Sequence, residues 1–287
     1  MTESAAPRIS VVIPCFNDGA LLRETLASVP ERADIEIVVV DDGSTDRDTI
    51  DYLDGLDRDF LRVQRQANTG VAEAINNGTR GARGAYVFPL ASDDLLADGA
   101  LDDLAAALDA APPNVVFAFG HARLFGSLDY VRKAPPWNPW LLTYANFWPA
   151  TSLFRRDALL AAGGFQKRSG YDDWDLLMLL AERDQEGVLV DRIIFWYRIH
   201  GAGRIMATAL RNFREEYDNL AHWHAPLFAR RAELLKRYPP TRMQRIYYPL
   251  SVVAGRRLPP GLVPRLHALK VRLASRLAGR PSADARP

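Results

Sequence analysis

The sequence predicts an α/β fold, with a mixed, mainly parallel sheet flanked by helices and a helical C-terminal extension. Three observations support this prediction. Short apolar runs alternate with segments of helical periodicity through the first 120 residues. The runs are continuous in Val, Ile and Leu, as is typical of parallel strands buried on both faces. Polar clusters follow three of the runs, at the strand ends where open α/β sheets bind ligands.

The elements are predicted in βα order. The strand candidates are ISVVIPCFN, IEIVVVDD, AYVFPLA and NVVFAFG. Apolar spacing predicts helices after Asp18, through VAEAINNG to about Gly81, and after Asp98. The segment KAPPWNPWLLTYANFWPATSLF is too rich in proline and aromatic residues for another βα unit, so we expect it to form a pocket wall. A helix in GYDDWDLLMLLAERD and a strand in IIFWYRIHG follow.

Composition indicates a globular chain of one large domain, or of one domain with an appendage. The 287 residues are 48% hydrophobic and 25% charged. The opening MTESAAPR does not resemble a signal peptide, and no run of about 18 apolar residues predicts a membrane span. A single cysteine, Cys15, excludes an internal disulfide. We therefore expect a cytoplasmic protein.

Charge divides the chain into two predicted parts, a main domain at 1–229 and a basic extension at 230–287. The extension has 14 Lys and Arg against 2 Asp and Glu, and the main domain has 22 against 33. Five leucines between Leu262 and Leu277 form one helical stripe beside basic residues. This pattern predicts peripheral contact with the anionic inner face of the plasma membrane. Packing against the protein's own acidic body or a second copy is the alternative, and no nucleic-acid partner is expected.

Seven segments resemble, in order, those of the family 2 glycosyltransferases. They are SVVIPCFNDGALLRETLASV, EIVVVDDGSTD, NTGVAEAINNG, ASDDLL, LFRRDALLAAGGF, YDDWDL and YRIHG, and they lie between about residues 9 and 203. The resemblance implies a GT-A fold and an inverting enzyme of polysaccharide or glycoconjugate synthesis. It implies transfer of a sugar, a hexose by expectation, from a UDP- or dTDP-sugar to a hydroxyl of a saccharide or lipid-linked glycan.

The resemblance also implies a donor site at the strand ends. Asp42 matches the carboxylate that accepts the N3 hydrogen of uracil or thymine, and Phe16 would stack on the base. The other residues assigned to the donor are Pro14, Asn17, Asn68, Gly70, Ser92, Asp93 and Arg198. The amides at the start of the helix after Gly70 would favour the phosphates. The alternative for Asp42 is that it only caps the DGSTD turn.

Two adjacent acids, Asp93 and Asp94, predict a cation site, since their mutual repulsion opposes ionisation of both. The resemblance implies Mg²⁺ or Mn²⁺ bridging carboxylate and diphosphate, with His200 as a further ligand. Ala91 stands where the family's metal motif has its first Asp. Which of the two acids holds the metal therefore stays open, and helix capping by SDD is the alternative.

The catalytic step is assigned to the head of the helix in YDDWDL. Asp172 and Asp173 match the family's acidic pair, with Asp173 as general base and Asp172 near the acceptor. Complementing the helix dipole is the alternative for these acids. Three tryptophans, Trp137, Trp148 and Trp174, are expected to stack on the acceptor.

Two other functional classes compete with a glycosyltransferase. A dinucleotide-dependent oxidoreductase should show G-x-G-x-x-G after the first strand, and IPCFNDGALL lacks it. The second is a catalytically impaired nucleotide-sugar or carbohydrate-binding protein of the same fold. This alternative stays open because Ala91 interrupts the metal motif.

Overall fold

The computed structural model describes residues 6–166, 168, 170–200 and 213–257. Within these residues nine strands form one mixed sheet. The strands are β1 (Ile9–Cys15), β2 (Ile35–Asp41), β3 (Leu61–Arg65), β4 (Tyr86–Pro89), β5 (Leu95–Leu96), β6 (Val115–Gly126), β7 (Tyr130–Arg132), β8 (Leu153–Arg155) and β9 (Glu186–Ile199). The helices are α1 (Gly19–Ser28), α2 (Arg47–Asp54), α3 (Val71–Gly81), α4 (Ala100–Ala110), α5 (Pro139–Leu142), α6 (Arg156–Ala162), α7 (Asp172–Glu182), α8 (Phe213–Trp223), α9 (Ala225–Ala229), α10 (Arg231–Arg237) and α11 (Arg242–Arg257).

The strand order is β3-β2-β1-β4-β8-β6-β9-β5, and β7 pairs with β6. The first four strands along this path are parallel. β8 is antiparallel to both β4 and β6, and β9 is parallel to β6. β6 and β9 therefore run in the same direction as β1, and the predicted mixed sheet is confirmed.

The sheet is covered on both faces because successive side chains of its strands point to opposite sides. Ile9, Val11 and Ile13 of β1 are buried in a cluster with apolar residues of α1 and α4. Val12 packs in a second cluster with Ala74 of α3. At Gly78 an added Cβ would lie 2.4 Å from Val12 Cγ1. This close approach fixes α3, and with it the loop that precedes α3, against the sheet.

A third cluster, rich in aromatic residues, joins the C-terminal helices to the rest of the molecule. Its buried members come from α3, β6, the segment 134–148, β8, α6, Phe165, α7 and the helices α8–α11. Tyr217 and Leu234 belong to the same cluster as Trp148. Packing is therefore continuous across the boundary predicted after residue 229.

Two predictions from the sequence concern the membrane, namely peripheral contact through a leucine stripe and the absence of a spanning segment. The leucine stripe predicted at 262–277 lies outside the described residues. Within the described residues, no helix is both long enough and apolar enough to cross a bilayer.

Candidate active site

The carboxyl ends of β1, β2, β4 and β9 lie at one edge of the sheet, because these four strands run in the same direction. The loops after Cys15, Asp41 and Pro89 therefore converge there with His200, the residue that follows β9. Seven of the predicted site residues lie in the loops after β1, β2 and β4 or directly after β9, and Asn68 and Gly70 lie in the loop after β3.

Asn17 joins the first two loops. Its side-chain oxygen accepts a hydrogen bond of 2.7 Å from Thr45 N, and its backbone N–H donates to Ser44 Oγ at 3.0 Å. Its φ of 53° lies in the left-handed region, which asparagine tolerates better than most residues. Asn17 thus shapes the crevice rather than offering free polar groups to a donor. Next to it Phe16 is 47% exposed, whereas Pro14 is buried in β1.

Asp42 joins the second loop to the third. Its carboxylate accepts hydrogen bonds of 2.8 Å from Gln66 Nε2, Thr69 N and Gly70 N. Burial alone would raise the pKa of Asp42, but these hydrogen bonds hold it below its ordinary value. The backbone amide of Gly70 therefore faces a protein carboxylate, which counts against its predicted contact with phosphate. Asn68, the residue directly before Thr69, is exposed.

The adjacent acids Asp93 and Asp94 have opposite environments. Asp93 is partly exposed, and its Oδ2 lies 2.9 Å from His200 Nε2. Asp94 is 2% exposed, and its Oδ1 accepts a hydrogen bond of 2.9 Å from Arg198 N. Burial raises the pKa of Asp94 well above its ordinary value, and the nearby charge of Asp93 adds to the shift. Asp93 therefore faces the crevice, whereas Asp94 anchors its loop to the end of β9.

Arg198 braces the Asp93 loop. Its Nε donates to the backbone oxygen of Asp93 at 2.8 Å, and its Nη2 donates to Glu24 Oε2 at 2.6 Å. Its guanidinium also lies 4.6 Å from the centre of the Phe125 ring. These contacts join β9, β6 and α1, which counts against the prediction that Arg198 binds the donor.

Three polar side chains surround the open side of Asp93. His200 is about half exposed, and Ser92 Oγ donates to Asp18 Oδ2 at 2.9 Å. Burial raises the pKa of Asp18, and the charge of Asp93 contributes to that increase. When a neighbouring acid disfavours the ionised form of a carboxylic acid, a nearby cation stabilises that ionised form. In the part of the chain that the structure describes, no group of three or more His, Cys, Asp or Glu residues is arranged to hold a metal.

The second acidic pair lies at the start of α7. Asp173 Oδ2 accepts a hydrogen bond of 2.9 Å from Asn146 Nδ2, and its Oδ1 accepts one of 2.7 Å from Trp174 N. Burial raises the pKa of Asp173, and these partners offset the shift only in part. Asp173 is thus a fixed carboxylate that is more basic than an ordinary one. Asp172 precedes it with a partly buried side chain.

Arg132 of β7 connects the two acidic pairs, and the sequence did not reveal it. Its guanidinium lies 5.5 Å from the centre of the Tyr197 ring. Its charge lowers the pKa of both Asp94 and Asp173, against the larger effect of burial in each case. One cation is therefore within electrostatic reach of both ends of the crevice. Arg132 belongs to no motif, so only the pairing of β7 with β6 could have placed it here.

The tryptophans predicted to contact the acceptor are buried. Trp137, Trp148 and Trp174 are 8%, 1% and 2% exposed. The indole N–H of Trp148 and that of Trp174 donate to backbone oxygens at 3.1 and 2.8 Å, and the Trp137 ring packs edge-on against Phe117. Rings enclosed in this way stabilise the core and have no face for a sugar. This burial counts against their predicted role, and we leave them out of the proposed acceptor site.

Comparison with known families identifies the chain type. The model of the family described as Glycosyl transferase family 2 matches residues 10–161, just over half of the chain. The matched region includes the loops after β1, β2 and β4 and ends before α7. It therefore includes Asp93 and Asp94, but neither His200 nor the acidic pair at the start of α7.

Curated relatives match parts of the chain. A poly(ribitol-phosphate) beta-N-acetylglucosaminyltransferase, TarP of Staphylococcus aureus, is 35% identical over 103 residues, 34% of this chain and 32% of that protein. A GalNAc(5)-diNAcBac-PP-undecaprenol beta-1,3-glucosyltransferase of Campylobacter jejuni is 36% identical over 104 residues, 34% of this chain and 33% of that protein. The uncharacterised y4gI of Sinorhizobium fredii is 32% identical over 63% of this chain. The chain spans about a fifth to a third of the length of these relatives.

Solved structures show the fold. Residues 1–349 of Staphylococcus aureus TarS in complex with UDP-GlcNAc superpose with a TM-score of 0.58 at 18% identity, covering 87% of this chain and 78% of that one. A mannosyltransferase of Pyrobaculum calidifontis in complex with GDP-Man and Mn²⁺ gives 0.57 at 18% identity, covering 96% and 85%. The predicted GT-A fold is therefore confirmed.

Proposed function

Because this chain belongs to glycosyl transferase family 2, we propose that it transfers a sugar from a nucleotide-diphosphate donor to an acceptor hydroxyl. The observation that carries the proposal is the crevice itself. The pair Asp93 and His200 lies at the sheet edge, the partly buried Asp173 lies at the start of α7, and Arg132 is within electrostatic reach of Asp173. A leaving diphosphate needs groups that bind it, and an attacking hydroxyl needs a group that takes its proton.

The donor diphosphate binds beside Asp93 in this proposal. Asp93 and His200 would hold a Mg²⁺ or Mn²⁺ ion, because their facing atoms lie 2.9 Å apart, Asp93 is partly exposed and His200 is exposed. When bound, such an ion neutralises charge on the departing diphosphate. One carboxylate plus substrate phosphates is a usual ligand set for Mg²⁺. Asp94 is the weaker candidate because it is buried against Arg198 N.

The nucleobase binds against the exposed ring of Phe16, by stacking. Asp42 remains the proposed reader of uracil or thymine N3, with UDP- or dTDP-sugars as the favoured donors. The hydrogen bonds that Asp42 accepts from Gln66 and Gly70 would keep its carboxylate fixed and ionised.

Asp173 acts as the general base in the proposed reaction. It takes the proton of the acceptor hydroxyl while that oxygen attacks the anomeric carbon, and the bond from that carbon to the diphosphate oxygen breaks. A single displacement inverts the configuration at the anomeric carbon. Its contacts with Asn146 and Trp174 N fix the carboxylate, and its raised pKa makes it a stronger base.

The acceptor is a hydroxyl of a saccharide or lipid-linked glycan in this proposal, within the synthesis of polysaccharide or glycoconjugate. Support comes from two relatives, one named for a poly(ribitol-phosphate) and one for an undecaprenol-linked acceptor. We keep the predicted membrane contact through the leucine stripe at 262–277 as part of this proposal, together with a cytoplasmic location. Self-association is left open.

A second candidate is a nucleotide-sugar binder that has lost catalysis. It is favoured by Ala91, which removes the first acid of the metal motif, and by the burial of Asp94. The two candidates differ in turnover but not in donor binding.

One experiment separates them. UDP-, dTDP- and GDP-sugars are first screened by thermal shift with Mn²⁺, and the donor that stabilises the protein most is then assayed for hydrolysis or transfer with and without Mn²⁺. We expect a UDP- or dTDP-sugar to bind and to be consumed. Stabilisation without any consumption would support the binder instead.

A further inference from the structure

The helix α11 has an apolar face that the rest of the described protein leaves uncovered. Eight large apolar side chains are exposed in the described residues, and five of them lie on this one helix. They are Met243 at 78%, Ile246 at 64%, Tyr247 at 48%, Leu250 at 62% and Val253 at 45% exposure. We call these five residues the α11 stripe.

The opposite side of the helix anchors it to the protein. Val252 is 6% exposed, and the ring of Tyr248 contacts that of Phe147 with centroids 5.1 Å apart. At Gly255 an added Cβ would lie 2.8 Å from the Phe213 ring. With about 100° of rotation per residue, the stripe covers an arc of about 120° centred away from these contacts. The stripe is thus presented outward on a docked helix.

The charge on α11 itself has a single sign, whereas the neighbouring helix α8 carries Asp218 and the exposed Glu215. α11 contains four arginines and no acidic residue. Arg242, Arg245 and Arg257 are exposed, while Arg256 pairs with Asp218 at 2.9 Å. The sequence that follows, 258–287, has six Lys and Arg against one Asp. Any surface that covers the stripe therefore meets a cationic border.

This charge decides between the possible occupants. A second copy docked through its own α11 would bring arginines against arginines, and the chain's own residues 258–287 are also basic. An anionic lipid surface instead takes the apolar residues into its interface and attracts the arginines, each by about 1 kcal/mol. Tyrosine, as at 247, is a residue type enriched at the membrane interface.

We propose that the α11 stripe is a docking surface for an anionic membrane, on which the helix lies parallel to the bilayer plane. The inference goes beyond the proposed transfer reaction, since it concerns where the protein works and needs no donor or turnover. It also differs from the predicted contact through residues 262–277, because it assigns the contact to a helix anchored on the body of the protein.

The test is vesicle flotation of the full-length chain. Vesicles of phosphatidylcholine alone are compared with vesicles that contain one third phosphatidylglycerol. We expect binding to the anionic vesicles that weakens as salt is raised. The variant Ile246→Gln with Leu250→Gln should bind at least tenfold more weakly, whereas Leu160→Gln, a change at an exposed leucine on α6, should bind like the wild type.

A second variant keeps the test decisive if glutamines disturb the helix. Arg242→Glu with Arg257→Glu leaves the stripe intact and should also lose anionic binding, with an unchanged melting temperature. Equal flotation of wild type and both variants would overturn the proposal and leave the contact to 258–287. Concentration-dependent dimerisation that the glutamine variant abolishes, without flotation of the wild type, would overturn it in favour of a second copy.

Discussion

Two adjacent aspartates at the sheet edge differ in what surrounds them. Asp93 is partly exposed beside His200, and Asp94 is enclosed against Arg198 N. The sequence left open which of them holds a metal. Their environments now favour Asp93, because a ligand to a shared cation has to be reachable from the crevice.

We therefore expect Asp93→Ala to abolish the gain in UDP affinity that Mn²⁺ provides. Loss of a residue that supports a metal ligand lowers metal affinity about tenfold or more, and loss of a direct ligand should lower it at least as much. Calorimetric titration of UDP with and without Mn²⁺ measures this gain. Asp94→Asn is the matched control, since its side-chain oxygen can still accept from Arg198 N, and it should keep most of the gain. An unchanged gain when both acids are replaced by alanine would exclude this metal site.

Asp173 and Asp172 allow a similar comparison. Asp173→Asn keeps size and polarity but cannot take a proton, so turnover should fall about 10²-fold or more while donor affinity survives. Asp172→Asn should affect the chemical step less, because successive residues of a helix diverge by about 100° and cannot both face one hydroxyl. Turnover and donor affinity are measured for both variants. A collapse in Asp172→Asn alone would transfer the role of base to Asp172.

Arg132 should affect the pH dependence of catalysis. Its charge lowers the pKa of Asp173, so Arg132→Gln should raise that pKa further. The base must be ionised to act, and the acidic limb of the kcat/KM profile should therefore move to higher pH. Lys133→Gln removes an exposed charge one residue away and is the control. Superimposable profiles for wild type and Arg132→Gln would show that Arg132 does not act on the base.

At the scale of elements, a buried ionic group holds α7 against the C-terminal helices. Asp175 is fully buried and accepts two hydrogen bonds of 2.7 Å from Arg168. His224 Nε2 lies 2.6 Å from Asp175 Oδ1, and its Nδ1 lies 3.0 Å from Glu182 Oε1. The carboxylates of Asp175 and Glu182 therefore lie on either side of the imidazole. This group fixes the helix that begins with the proposed base.

Asp175→Asn should destabilise the protein by about 3 kcal/mol or more at pH 7, because it removes the buried charged partner of Arg168. Burial favours the protonated form of Asp175, but the hydrogen bonds from Arg168 and His224 hold its pKa below the ordinary value. Such a group stabilises the fold above its unfolded pKa of about 4 and loses this effect as pH falls through the folded pKa. The difference from wild type should therefore shrink below pH 4. Urea unfolding at several pH values measures it, and a difference independent of pH would contradict the assignment.

The sequence predicted some elements better than others, for physical reasons. β1, β2 and α3 were predictable because their apolar runs are buried. β3 was missed, since Leu61–Arg65 is a half-buried edge strand with two arginines. The place of β8 between β4 and β6 was not predictable either, because that strand comes from a later part of the chain.

The residues of the candidate site also differ in how well the sequence predicted them. Loops that carry local motifs, such as the one around Asp93, were identifiable from the sequence. Asn146 and Arg132 belong to no motif and reach the crevice only through tertiary packing. The tryptophans were misleading because aromatic composition alone does not distinguish a core from an open surface.

At the scale of the whole molecule, part of the charge asymmetry is used in packing. Arg230 contacts Asp184 at 2.6 Å, and Arg237 contacts Glu186 at 2.6 Å. These pairs are partly exposed and contribute little stability each. They do show that basic residues after 229 pair with acids of the main domain. The segment 230–257 is therefore packed against the body, in agreement with its share of the aromatic cluster.

A chain ending at residue 229 should for this reason be less stable than one ending at 257. The shorter chain lacks Leu234 and Val252, which are 2% and 6% exposed. Loss of two buried side chains removes about 3–6 kcal/mol of hydrophobic stabilisation. Arg231 also donates to Thr143 O at 2.7 Å and to the Tyr217 hydroxyl at 2.8 Å, and both acceptors would lose that partner.

Thermal unfolding of the two chains, 1–229 and 1–257, tests this expectation. At about 2 °C per kcal/mol for a chain of this size, the shorter chain should melt roughly 6 °C lower or more. Leu234→Ala in the longer chain should reproduce part of the decrease, because it removes one buried side chain and keeps the helices. If the chain 1–229 instead unfolds cooperatively at the temperature of 1–257, the predicted boundary after 229 separates an independent domain. In that case the shared aromatic cluster contributes nothing to its stability.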